Sequence, residues 1–156
     1  MSQDKALDSL NHLAAVNTDA EAGFHTAAET IRNSELETLF SGYAGRHGKF
    51  ASELRDEIAR TGGAVSETGT FGGALHKGWL ELKSALSGHS AASVLGSCES
   101  AEESAEIAYA DACDLISTGQ THTLIERQRQ QVKEIRTHLA RLVGEMRNGA
   151  AFQQNE

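Results

Sequence analysis

Six polar side chains stand at positions where the repeating pattern of the chain otherwise places apolar residues. They are Asn17, His47, Glu102, Gln128, Gln131 and His138, and Glu53 lies beside the same pattern. Residues spaced alternately by three and four share one buried face of a helix. A buried carboxylate, amide or imidazole has to bond to another polar group or to a metal ion, because an unpaired polar group is costly to bury.

Two kinds of chemistry fit this set. In one, the side chains form a hydrogen-bonded core network that fixes the register of the helices, with Asn17, His47, Gln128 and Gln131 as members. Glu102 is then expected to pair with Gln128, Gln131 or His138.

In the second kind of chemistry, Glu53, Glu102 and His138 bind one metal ion. Two carboxylates and an imidazole suit iron or manganese. A third interpretation is that the helix phase is shifted, so that some of these side chains face solvent.

Turn signals divide the chain into the helices that would position these residues. Four long helices and one short one are predicted over about residues 4–32, 34–60, 73–86, 91–116 and 121–147. Ser34 with Glu37 forms a capping box at the start of the second helix, Gly62-Gly63 ends that helix, and Thr121 can cap the last one. The chain contains no proline, which permits long uninterrupted helices.

The four long helices carry apolar stripes with a repeat of about 3.5 residues, the pattern of a left-handed helical bundle. Short connections make the first pair and the last pair antiparallel hairpins, whereas the middle connection is long and contains the short helix. The sequence therefore predicts an all-α, ferritin-like four-helix bundle with an extra short helix in the crossover. The bundle domain is predicted over residues 1–147, followed by a flexible tail at 148–156.

Composition narrows the classes of function. A net charge of −8 argues against nucleic acid and anionic membranes as partners. Neither a signal-peptide core nor an apolar stretch long enough to span a membrane is present, so we expect a cytoplasmic protein. Cys98 and Cys113 fall on one predicted helix, roughly 22 Å apart at the helical rise, and cannot pair with each other. We expect reduced thiols.

The run GGALHKGWLELKSA at residues 72–85 resembles the signature of a bacterial family of uncharacterised four-helix-bundle proteins (DUF2383, PA2169-like). Further matches to its pattern are Leu10-Asn11, Asp19, Ala27-Ala28-Glu29, Leu39-Phe40, Gly62-Gly63, Cys98-Glu99, Glu102 and Arg127-Gln128. The resemblance covers about residues 7–147 and implies a ferritin-like fold without an established activity. The family usually has His-Asp where this chain has Arg136-Thr137, with His138 shifted onto another face.

Ferritin-like di-iron proteins supply a Glu from one helix and Glu-x-x-His from the next in each half. By resemblance, Glu102 and His138 match the second half, and Tyr109 matches the tyrosine that follows the first Glu. Apolar residues, Phe50 and Ile135, replace both bridging carboxylates, and Asn17 and Glu53 replace the remaining ligands of the first half. The comparison implies at most one metal ion per chain.

Trp79 is the only tryptophan, and we expect it, with His76, to anchor the crossover helix on the bundle. No arrangement typical of a catalytic nucleophile is present, so no catalytic residue is predicted. Three functions remain open: a non-catalytic bundle that acts through association, in a setting of stress physiology, an iron- or manganese-binding protein, and a small-molecule binder with a cavity near Trp79. The first implies a homo-oligomer or a protein partner.

Overall fold

Four helices make up the part of the chain that the computed structural model describes, which is residues 3–65 and 90–153, with side chains for 4–65 and 90–148. They are α1 (Gln3–Thr30), α2 (Ser34–Arg60), α3 (Ala91–Leu115) and α4 (Gly119–Gln153). No strand occurs in these two ranges. The prediction of an all-α four-helix bundle is confirmed. The last helix continues beyond Arg147, where the sequence had suggested its end.

Local side chains explain where α2 begins and ends. The Asn33 side chain accepts a hydrogen bond from the Leu36 backbone N–H at 3.0 Å, so Asn33 is the N-cap and the predicted cap at Ser34 was one residue late. At the other end, Gly62 has φ of +83° and the Gly63 N–H donates to the Ile58 carbonyl at 2.9 Å. Glycine tolerates this left-handed conformation, which ends the helix as predicted.

The order of the helices around the core follows from two buried clusters. One cluster joins the start of α1 and α4 to the end of α2 and α3, through Leu13, Ile125, Leu54 and Tyr109 among others. The second cluster joins the opposite ends of the same helices. Backbones approach each other between α1 and α2, α3 and α4, α1 and α3, and least between α2 and α4. Neighbouring helices are therefore antiparallel, and α2 lies diagonally across the bundle from α3.

The end of α2 and the start of α3 lie at opposite ends of the bundle, as the predicted crossover requires. The predicted short helix, with Trp79, His76 and the cavity proposed beside them, falls at residues 66–89 and lies outside the described residues. None of the described helices is both long enough and apolar enough to cross a membrane.

The predicted buried stripe of α3 and its C-cap is confirmed, since all seven of its residues are buried: Leu95, Cys98, Glu102, Ala105, Tyr109, Ala112 and Ile116. On α4 the prediction was wrong in part. Its sequence carries two overlapping stripes that share Gln128 and Ile135, and the bundle buries the more apolar one. The buried residues are Ile125, Gln128, Val132, Ile135, Leu139 and Val143. Gln131 and His138 are only half-buried, because burying the apolar alternative leaves fewer polar groups to satisfy.

We predict that Asn33→Ala lowers the free energy of unfolding by about 1 kcal/mol, since the first turn of α2 loses the acceptor for its Leu36 N–H. Ser34→Ala is the matched control, because Ser34 is exposed and follows the cap. It should change stability by less than about 0.5 kcal/mol. Urea denaturation of both variants measures the difference. A larger loss for Ser34→Ala would restore the capping box as the start of the helix.

Candidate functional site

Each of the four helices places one polar side chain in the centre of the bundle. These side chains are Asn17 from α1, His47 from α2, Glu102 from α3 and Gln128 from α4, and all four residues are 0% exposed. The Tyr109 ring on α3 is buried at the same place. Buried polar groups are stable only when they are paired, so the bonds among these five residues decide what the site can do.

His47 is the centre of the network. Its Nε2 lies 2.6 Å from Glu102 Oε1, and its Nδ1 lies 2.7 Å from Asn17 Oδ1. Phe24 stacks on one side of the imidazole with ring centroids 5.7 Å apart, and Phe50 meets it edge-on at the same distance. The imidazole therefore bonds to polar partners at its two nitrogens, and two phenylalanine rings pack against it.

The backbone fixes the orientation of the Asn17 amide. Asn17 Nδ2 donates to the Leu13 carbonyl at 2.8 Å and to the Tyr109 hydroxyl oxygen at 2.7 Å. A carbonyl can only accept, so the atom beside it must be the amide nitrogen, and Oδ1 is left as the acceptor that faces His47. The proton on that side of the imidazole is therefore on Nδ1.

One proton must lie between His47 Nε2 and Glu102 Oε1, because two acceptors would repel each other at this distance. The proton can reside on the carboxyl group, which leaves a neutral imidazole, or on the imidazole, which leaves a carboxylate. Both arrangements give the pair no net charge. The core can therefore bury an acid and a base together without burying an uncompensated charge.

The network continues from Tyr109 to the surface between α2 and α4. The Tyr109 hydroxyl donates to Gln128 Oε1 at 2.6 Å. Gln128 Nε2 donates to the Phe50 carbonyl and to Glu53 Oε1, both at 3.2 Å. Arg127 closes the chain with a bond of 2.8 Å to Glu53 Oε2. Burial raises the pKa of Tyr109 while the bond from Asn17 acts the other way, so the phenol stays a donor.

The three predicted metal ligands bond to three different partners. Glu102 pairs with His47, and Glu53 pairs with Arg127. His138 bonds through Nδ1 to the Tyr43 hydroxyl, whose pKa is raised mainly by burial. Within residues 3–65 and 90–153, no three His, Cys, Asp or Glu side chains form a group able to hold a metal ion.

The prediction for the partner of Glu102 was wrong, although Glu102 is buried as the sequence predicted. The sequence suggested Gln128, Gln131 or His138, all from α4, whereas the partner is His47, which comes from the diagonally opposite helix. Two of the three suggested partners lie on the half-buried side of α4. The second carboxylate oxygen, Glu102 Oε2, is buried and has no donor among the described residues.

Sequence reasoning missed a second polar cluster, at the end of α2. Glu57 is buried and accepts hydrogen bonds from Arg60 and from the Thr121 hydroxyl at 2.8 Å. The Arg60 bond, with a smaller contribution from Thr121, holds the pKa of Glu57 below its ordinary value although burial acts against it. The spacing of Glu57 and Arg60 by three residues was the available signal. Thr121 bonds across to α2 in this cluster.

The two cysteines are free and buried. Burial, with Glu102 nearby, raises the pKa of Cys98 far above its usual value. Burial also raises the pKa of Cys113 to about 11, and its thiol donates to Glu126 Oε2 at 3.3 Å. Because the thiolate is the nucleophile, neither cysteine has the environment of a reactive thiol.

The fold and the site define a class of protein: a four-helix bundle whose core is crossed by hydrogen-bonded polar side chains from every helix. Within that class, the family model described as Domain of unknown function (DUF2383) matches residues 5–115. The chain belongs to this family. The matched region includes Asn17, His47, Glu102 and Tyr109, whereas Gln128 lies beyond it. No curated protein matches the chain.

We predict that Glu102→Ala lowers the free energy of unfolding by about 3–5 kcal/mol, because it leaves His47 buried without a partner for Nε2. Glu102→Gln should be milder, since an amide of the same shape can still bond to that nitrogen. The control is Glu103→Ala, one residue further on an exposed face, which should change stability by less than about 0.5 kcal/mol. Equal losses in urea denaturation for Glu102→Ala and Glu103→Ala would contradict the network.

A second prediction concerns acid stability. Because the folded-state pKa of Glu57 lies below its ordinary value of 4.5, its carboxylate stabilises the fold above that pH. This contribution is lost as the pH falls through the folded-state pKa. Glu57→Gln should therefore reduce the melting temperature at pH 7 and have less effect in strong acid. Thermal melts of both proteins across the acid range measure this, and a constant difference between them at every pH would refute it.

Proposed function

We propose that this protein is a non-catalytic helical bundle that acts through association with protein surfaces, and that its core network serves to hold one arrangement of the helices. We extend the proposal to a ferritin-like relationship and a setting in stress physiology, for which the family resemblance is the support. A cytoplasmic location is also part of it, supported by the acidic composition and the free buried thiols.

The observation that carries the proposal is that the polar groups of the core are bonded to one another. His47 is enclosed by Phe24 and Phe50, and both of its nitrogens are occupied by side chains of other helices. A general acid or base has to reach its substrate within hydrogen-bond distance. The described surface grooves are lined by other residues and do not reach this pair. A network of this kind suits specificity of packing better than chemistry.

Iron or manganese binding is the second candidate, and one observation favours it. Glu102 Oε2 is a buried oxygen without a described donor, next to an imidazole. Metal sites built from protein side chains usually use three or four ligands. The described residues supply only Glu102 and His47 at this point, with the Asn17 amide as a weaker oxygen ligand, so the donor set does not fit a complete site.

Metal loading decides between the two candidates. Protein purified without chelator is loaded aerobically with iron(II) or manganese(II), desalted and measured by elemental analysis. We expect that the desalted protein retains no metal in a stoichiometric amount. In no case should more than one ion per chain remain. One ion that is lost in Glu102→Gln and kept in Glu103→Gln would favour the metalloprotein. Two irons per chain would overturn both interpretations.

A further inference from the structure

The outer groove between α3 and α4 carries an apolar side chain that the described helices leave uncovered. Ile107 is 57% exposed, and Val65, at 38%, is the other exposed large apolar residue among the described side chains. Ile107 lies in a shallow groove of about 240 Å³, lined by Glu103, Glu106, Ile107, Ala110, Arg129 and Arg136. The centre of this surface, which we term the α3–α4 face, is apolar and its edges are charged.

The charges on the α3–α4 face are sorted by helix. Both glutamates come from α3 and both arginines from α4, and Arg136 bonds to Glu106 across the groove. The four charges that line the groove cancel, whereas the whole chain has a net charge of −8. Beside them, Glu126 on α4 adds one acidic group, which pairs with Arg129. Two copies of a strongly acidic protein repel each other, so a surface this close to neutral is the favourable place for them to meet.

The sorting also makes the face complementary to itself. A two-fold axis that runs along the groove, parallel to the helices, places α3 of each copy opposite α4 of the other. The acidic edge of one copy then meets the basic edge of its partner at the same level. The same rotation places Ile107 beside the symmetry axis, close to the equivalent side chain of the second copy. A two-fold contact of this kind is closed, so it gives a dimer rather than a fibre.

The groove lies on a longer surface formed by α3 and α4, and that surface is large enough for a specific dimer. Its length is set by α3, whose 25 residues extend for about 37 Å at the helical rise. Two adjacent helices, each about 10 Å wide, present roughly 700 Å² to a partner. Specific protein interfaces bury about 800 Å² on each side.

We propose that a second copy of this chain docks on the α3–α4 face, with Ile107 at the centre of the contact and with the glutamates of α3 opposite the arginines of α4. This inference rests on the proposed function, because it names the surface and the partner for association. The contact is antiparallel between α3 and the partner's α4, and it forms a second, intermolecular four-helix arrangement next to the first.

Sedimentation velocity over a range of protein and salt concentrations tests the contact. We expect a dimer whose dissociation constant rises with salt. Ile107→Glu should raise that constant about tenfold or more, because it places two like charges at the axis. The control is Val65→Glu, which adds the same charge at the other exposed apolar residue and should leave the dimer intact. Circular dichroism confirms that both variants are folded.

Cross-linking tests the position of the axis. Ile107→Cys should form a disulfide-linked dimer on mild oxidation, whereas Val65→Cys should not, and the native thiols are buried. A monomer at every concentration, or an oligomer that Ile107→Glu does not weaken and Ile107→Cys does not link, would overturn this inference. If an oligomer forms that neither Ile107 variant affects in this way, association remains the function and its contact surface lies elsewhere. The proposed function itself fails separately, if metal loading gives a stoichiometric core site.

Discussion

The contact between His47 and Glu102 is the constraint on which the rest of the core depends. It joins α2 to α3 across the diagonal of the bundle, where the backbones are too far apart to pack directly. Breaking it would leave Glu102 without a partner among the described residues and His47 with Asn17 alone, so the helices can shift only as a group. The apolar clusters at the two ends then pack around a centre whose geometry is already fixed.

The interface between α2 and α4 is built differently from the other three helix–helix interfaces of the bundle. Their backbones approach each other least, and long polar side chains fill the space between them. Arg127 and Gln128 reach Glu53, Thr121 reaches Glu57, and His138 reaches Tyr43. Arg127 is exposed and Glu53 and His138 are half-buried, so water can compete for their hydrogen bonds. This interface is therefore where the bundle should open first.

Much of the fold could be predicted because local pattern determined it: the buried stripe of α3, the two antiparallel hairpins and the glycine stop after α2. The pairing of Asn17 with His47 was also within reach. Each lies 13 residues from the turn, counted from Thr30 and Ser34, so they occupy the same level of the hairpin. The partner of Glu102 could not be predicted, because the long connection does not fix the level of one hairpin against the other. On α4, the buried stripe was also within reach, because it is the more apolar of the two overlapping stripes.

The hydrogen bonds from His47 to Glu53 all point the same way: each donor on this path faces the acceptor nearer the surface. Two of the links are the side-chain amides of Asn17 and Gln128. An amide can donate at one end and accept at the other, but it does not pass a proton through itself as water or imidazole does. The path is thus continuous in bonding and interrupted for proton transfer. The proton shared by His47 and Glu102 therefore cannot reach the Glu53 carboxylate along this path.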